Sequence, residues 1–167
     1  KANIEAKDDE GWTPLVHALM GTTVDSTDRE QYLQIAKYLL EHNANVETKD
    51  FEGMTPLMLL SGGHDVAQNL PLPMEFLLEH KANIEAKDDE GWTPLVHALM
   101  GTTVDSTDRE QYLQIAKYLL EHNANVETKD FEGMTPLMLL SGGHDVAQNL
   151  PLPMEFLLEH KANIEAK

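Results

Sequence analysis

The chain has 167 residues, no cysteine, and 29 Asp+Glu against 12 Lys+Arg, for a formal charge of −17. That balance argues against nucleic acid and anionic membrane surfaces as partners, because like charges repel. The lack of cysteine excludes disulfides, zinc–thiolate sites and thiol nucleophiles. With no secretory signal and no apolar run near the ~20 residues that span a bilayer, the chain is expected to be cytoplasmic. It opens KANIEAK without an initiator Met, which suggests an excerpt of something longer.

Residues 81–160 repeat residues 1–80 without a substitution, and residues 161–167 begin the unit a third time. A fixed period is the signature of a repeat architecture. Each 80-residue unit carries 14 acidic and 5 basic side chains, and so −9. Identity over 87 residues points to a very recent duplication, to engineering, or to a window on a homogenised array.

Within the first unit the chain reads as two helix pairs. Thr13 is placed to cap a helix N-terminus, and Pro14 suits the first turn, where no N–H is needed. Leu15, Ala18 and Leu19 then share one face. Thr27 followed by Glu30 reads as a capping box opening a second helix. Leu33, Ala36, Leu39 and Leu40 form its apolar stripe, with Gln34 and Lys37 toward water. Asn43 suits the left-handed conformation that ends a helix. Pro73 is expected to open a shorter helix through Met74, Phe76, Leu77 and Leu78. Each pair leaves an apolar side that only a neighbour can cover, so stability must come from stacking.

A second, imperfect repeat lies inside the unit. Gly11-Trp12-Thr13-Pro14-Leu15 is echoed by Gly53-Met54-Thr55-Pro56-Leu57. Residues 38–47 (YLLEHNANVE) are likewise echoed by residues 76–85 (FLLEHKANIE). The pattern D-x-x-G-x-T-P-L followed by L-L-E-H-x-A-N-[VI]-E resembles the ankyrin repeat. The resemblance covers residues 8–49, 50–87, 88–129 and 130–167, after the tail of a preceding repeat at 1–7. It implies an all-α solenoid of stacked helix–turn–helix repeats with short hairpin connections. It also implies a non-catalytic protein–protein interaction scaffold without a cofactor. The identity between units favours an alternative, a structural repeat of a long array or head-to-tail filament.

Several departures from the family pattern carry consequences. The repeats are 42 and 38 residues long, against about 33 in the family. The extra length falls between paired helices, at Gly21–Thr27 with an extended second helix and at Gly62–Pro73, and maps to one edge of the solenoid. Val16 and Met58 replace the His that usually follows T-P-L, and His17, one position later, must face elsewhere. The family's hydrogen bonds at that position are therefore not carried over. Asn43 and Lys81 replace the Gly that ends the second helix. A left-handed Lys costs roughly 1–2 kcal/mol, unless that turn takes another shape.

The hairpin fingers carry the candidate partner-binding residues. These are Asp9, Glu10, Trp12, Phe51, Glu52 and Met54, with their copies Asp89, Glu90, Trp92, Phe131, Glu132 and Met134. Aromatic and Met side chains on an exposed finger are good anchors. The plainer expectation is that Trp12, Phe51 and Met54 pack against adjacent fingers. The partner is expected to be a protein with a basic surface, or a further copy of the chain docked head to tail. The latter follows because Leu15, Leu33, Leu39 and Leu40 at one end, and Leu139, Met154 and Leu157 at the other, carry no polar replacement.

Other constellations are weaker. Asp25-Ser26-Thr27-Asp28-Arg29-Glu30 offers oxygen ligands but not the spacing of a calcium loop, and acids at a helix start already suit the macrodipole. His42 and His80 fall at helix C-termini, where a positive charge is favoured. Ser61, His64 and Asp65 are too local for a triad. Pro71 and Pro73 lack the full P-x-x-P pattern.

Overall fold

Eight helices follow one another in a computed structural model that describes residues 2–22, 28–62, 71–102, 109–142 and 151–165. They are α1 (Pro14–Gly21), α2 (Arg29–Glu41), α3 (Pro56–Gly62), α4 (Pro71–Glu79), α5 (Pro94–Gly101), α6 (Arg109–Glu121), α7 (Pro136–Gly142) and α8 (Pro151–Glu165). The described residues include no strand. Helices α1, α3, α5 and α7 stack in series, and α2, α4, α6 and α8 each pack on the helix before them. One continuous core results, running from Leu15 and Leu19 through Leu57, Leu60, Leu77, Leu95 and Leu119 to Leu140 and Leu157. The chain is an all-α solenoid.

Three of the four inner helices carry the threonine cap that their T-P-L signal predicts, whereas Thr93 at the start of α5 makes no side-chain cap bond. Thr13 Oγ1 accepts from Val16 N at 3.5 Å, and Thr55 and Thr135 accept from Met58 N and Met138 N at 3.4 Å. The outer helices differ from expectation. Helix α4 begins at Pro71, not Pro73. Both prolines lie in its first turn, where backbone N–H groups have no intrahelical acceptor, so the second one breaks nothing. Asp28 occupies the N-cap position of α2 and makes no side-chain cap bond. Thr27 lies outside the described residues, and Glu30 accepts from Gln34 Nε2 instead. Arg29 Nε donates to Thr22 O at 3.0 Å and so ties the start of α2 to the end of α1. The stripe on α2 is as expected: Ala36 and Leu40 are buried, Leu33 and Leu39 half-buried, Gln34 and Lys37 exposed.

Left-handed residues close three of the outer helices: Asn43 (φ 65°), Lys81 (φ 66°) and Asn123 (φ 69°). Lys81 thus adopts the strained conformation. Its N–H donates to Leu78 O and that of Ala82 to Leu77 O, both at 2.9 Å. This pair satisfies two terminal carbonyls and buries Ala82, which offsets the ~1–2 kcal/mol of strain.

A ladder of side chains then links each repeat to the next. Lys7 Nζ donates to Lys49 O, Lys49 Nζ to Lys87 O and Lys87 Nζ to Lys129 O, at 2.6, 2.6 and 2.5 Å. Glu5 accepts from Asn45 N (2.9 Å) and Thr48 Oγ1 (3.0 Å), and Glu85 from Asn125 N (2.7 Å) and Thr128 Oγ1 (2.8 Å). Glu47 accepts from Asn83 N at 2.7 Å. Charged groups bonded to backbone in this way make the stronger class of hydrogen bond. The A-N-[VI]-E-x-K segment is therefore a coupling between repeats.

Candidate partner-binding edge

Each finger folds on one aspartate. Asp8 N donates to Trp12 O at 3.1 Å, and Asp8 Oδ1 accepts from Glu10 N and Trp12 N at 2.9 Å. Asp50, Asp88 and Asp130 repeat the arrangement. The turn needs a left-handed residue, supplied by Gly11 (φ 83°) and its counterparts. These glycines also permit close approach: a Cβ on Gly11 would lie 2.9 Å from Phe51 N on the next finger. Neighbouring fingers are joined by Phe51 N to Glu10 O (3.4 Å), Asp89 N to Glu52 O (3.4 Å) and Phe131 N to Glu90 O (3.3 Å). The fingers form one row.

Phe51 and Phe131 project from that row 68% and 69% exposed. Asp9, Glu10, Glu52, Asp89, Glu90 and Glu132 are exposed beside them, while Trp12, Met54, Trp92 and Met134 are half-buried. A cavity of about 670 Å³ opens between the first two fingers. Glu10, Trp12, Asp50, Phe51, Glu52 and Met54 line it from the fingers, and Met20, Leu59, Gly62 and His97 from the helices α1, α3 and α5. Of the three residues expected to pack between fingers, Trp12 and Met54 are half-buried and Phe51 is largely exposed. The Phe51 backbone bonds to the neighbouring finger and its side chain lines the cavity.

The arrangement of fingers on stacked helix pairs accords with the family comparison. A family model for ankyrin repeats (3 copies) matches residues 29–105 and 74–167. The chain belongs to the ankyrin-repeat family. Ankyrin repeats are protein–protein interaction modules, and the family is typically non-catalytic. No curated protein matches the chain.

These ankyrin repeats contain one pairing that sequence spacing did not reveal. His17 Nε2 lies 2.7 Å from Asp8 Oδ2, and His97 lies 2.7 Å from Asp88 Oδ2. The partners are nine positions apart, and only the finger's turn onto the following helix brings them together. Each imidazole also meets a tryptophan edge-on, Trp12 or Trp92, at 5.6 Å between centroids. The Asp8 carboxyl is held below its ordinary value, first by the Trp12 N–H against the opposing effect of desolvation, then by the Glu10 N–H and His17. A His–Asp bond thus fixes finger to helix in the longer repeats. Leu59 takes the place of the histidine in the shorter ones.

The remaining candidates are structural or lie elsewhere. His42, His80, His122 and His160 donate through Nδ1 to the carbonyl four residues back, at 2.7 to 3.0 Å, because a carbonyl can only accept. Ser61 is buried and donates to Leu57 O at 2.7 Å. His64, Asp65, Asp25, Ser26 and Thr27 lie outside the described residues, as do the middles of both insertions. The described residues show no group of three or more His, Asp or Glu placed to hold a metal, and no helix long and apolar enough to cross a membrane.

Proposed function

We propose that the chain is a non-catalytic scaffold whose finger edge binds a protein with a basic surface. The observation that carries this reading is the pair of exposed phenylalanines, each flanked by carboxylates, with a cavity beside the first. Exposed aromatic side chains that recur along one edge are good anchors for a partner. The exposed acids Asp9, Glu10, Glu52, Asp89, Glu90 and Glu132 outnumber Lys7, Lys49, Lys87 and Lys129 along the edge and so set the sign of its field. Reversal of Glu10, Glu52, Glu90 and Glu132 to Lys should weaken capture of oligolysine at low salt about tenfold or more. Binding should also fall steeply with added salt. Capture indifferent to both changes would sink the electrostatic version of the reading.

A second reading, head-to-tail stacking of copies, is favoured by the outer repeats. Ile35 is 48% and Tyr38 60% exposed on α2, whereas Ile115, the same position on α6, is 2% exposed. Met138 is 49% exposed where Met58 is fully buried, and Leu158 is 53% exposed. The open surface is therefore not the set expected from sequence: Leu15, Leu40 and Leu157 are buried, and Leu33, Leu39, Leu139 and Met154 half-buried. Docking would require α8 to end near His160 as α4 ends before His80, since both continue into the same K-A-N-I-E segment. Sedimentation should show concentration-dependent stacks at moderate salt, and a monomer throughout the range would rule this reading out.

A further inference from the structure

We propose that the cavity between the first two fingers takes a single arginine side chain of the partner, paired with Asp50 and stacked on the aromatic rings beside it. This rests on the reading of the finger edge as the binding face, and names the group that enters it. The two kinds of repeat use the same aspartate differently. In the longer repeats both of its oxygens are engaged: Asp88 Oδ1 accepts from Glu90 N and Trp92 N, and Oδ2 meets His97 Nε2. Asp8 does the same with Glu10, Trp12 and His17. In the first shorter repeat Asp50 Oδ1 accepts from Glu52 N and Met54 N, but Leu59 stands nine positions on in place of the histidine. A leucine offers no donor, and among the described residues Asp50 Oδ2 has no hydrogen-bond or ion-pair partner. Asp50 and Leu59 both line the cavity of about 670 Å³, so the uncommitted carboxylate belongs to its wall.

The rest of the wall selects the occupant. Glu10 from one finger and Glu52 from the next add carboxylates, and Trp12 and Phe51 add ring faces. An apolar side chain would cover the rings but leave Asp50 desolvated and unpaired, which is costly. A lysine ammonium supplies the charge, but as a compact, strongly hydrated point. A guanidinium is planar and more weakly hydrated, and it stacks on aromatic faces while its several N–H groups reach carboxylates in its own plane. Carboxylates from two fingers and a ring face are thus met by one group, with its alkyl stem against Met54 and Leu59. Phe131, the copy of Phe51, shows that such a ring tolerates a cation, since Lys87 Nζ lies 5.8 Å from its centroid. His97 of α5 completes the wall, and its bond to Asp88 balances any charge on the imidazole, so it does not oppose a cation. The position equivalent to His97 eighty residues on lies beyond residue 167, so among the described residues this wall is complete only at the first two fingers.

The intact chain is titrated at low salt with oligolysine and with three short end-blocked peptides: Gly-Ser-Arg-Ser-Gly, its lysine form and its citrulline form. The indole N–H resonances of Trp12 and Trp92, the chain's two tryptophans, separate the cavity from the second unit. The arginine peptide should move the Trp12 signal and bind about tenfold tighter than the other two short peptides, since citrulline lacks the charge and lysine the planar fork. Asp50→Asn keeps an oxygen for the two finger N–H groups and should abolish that preference without changing circular dichroism. Leu59→His rebuilds the pairing of the longer repeats and should abolish it too, whereas Asp130→Asn should leave it unchanged. Equal affinity for arginine and lysine, or a preference that survives Asp50→Asn, overturns this inference, and oligolysine binding in the same series leaves the acidic edge standing. Movement of the Trp92 signal in place of Trp12 overturns the location. Failure of all four probes to bind overturns both this inference and the reading beneath it.

Discussion

Two 80-residue units of identical sequence differ in structure only through what lies beside them. The Asp8–His17 pair has side chains 38% and 57% exposed, while its copy Asp88–His97 is 2% and 14% exposed. Met58 is fully buried, and Met138 is half open. Helix α4 ends at Glu79 and turns at Lys81, whereas α8, with the same residues, continues to Glu165. The lesson is that a repeat's burial, and even one of its helix ends, belongs to the junction and not to the repeat. This is what nearest-neighbour stabilisation means in a solenoid.

The largest test of the comparison uses one substitution in two places. Met58→Ala should cost about 2–5 kcal/mol, the range for emptying a filled core site. Met138→Ala should cost less than about 1 kcal/mol. Urea unfolding of both variants in dilute solution measures the difference, and equal costs would show that the junction does not supply the burial. A smaller contrast is expected at the finger glycines. Gly91 (φ 86°) and Gly133 (φ 83°) each impose roughly 1–2 kcal/mol of strain on an alanine. At Gly91 the new Cβ would also lie 2.6 Å from Phe131 N, whereas nothing stands within 4 Å of it at Gly133. Gly91→Ala should therefore destabilise by about 1–3 kcal/mol more than Gly133→Ala. Matching melting curves for the two would contradict the close approach of the fingers.

Much of the fold was legible because its signals are local. Thr13-Pro14-Leu15, the Leu33–Leu40 stripe and Asn43 act within one or two turns of chain, and each does what its chemistry requires. Helix α4 starts two residues before Pro73 because both Pro71 and Pro73 satisfy a helix's first turn, and sequence offers no means to choose. The finger residues are legible as a set, but which of them is exposed, Phe51 more than Trp12, is not written in their spacing. The Asp8–His17 bond is not legible in the sequence because its nine-residue spacing matches neither helix nor strand period. The lysine ladder spans 38 or 42 residues per bond, beyond any periodicity argument.

The glutamate couplings have a mechanical consequence. Glu5 and Glu85 each grip the next repeat through an amide and a threonine hydroxyl, but the repeat gripped by Glu47 carries Ala86 where the others have Thr48 and Thr128. Under tension along the axis the junctions bear load in series, and the one held by Glu47 is short of a hydroxyl tether. Among the described residues, one yielding joint lies between two firmer ones. Under force the first unit is therefore expected to part first at the junction held by Glu47.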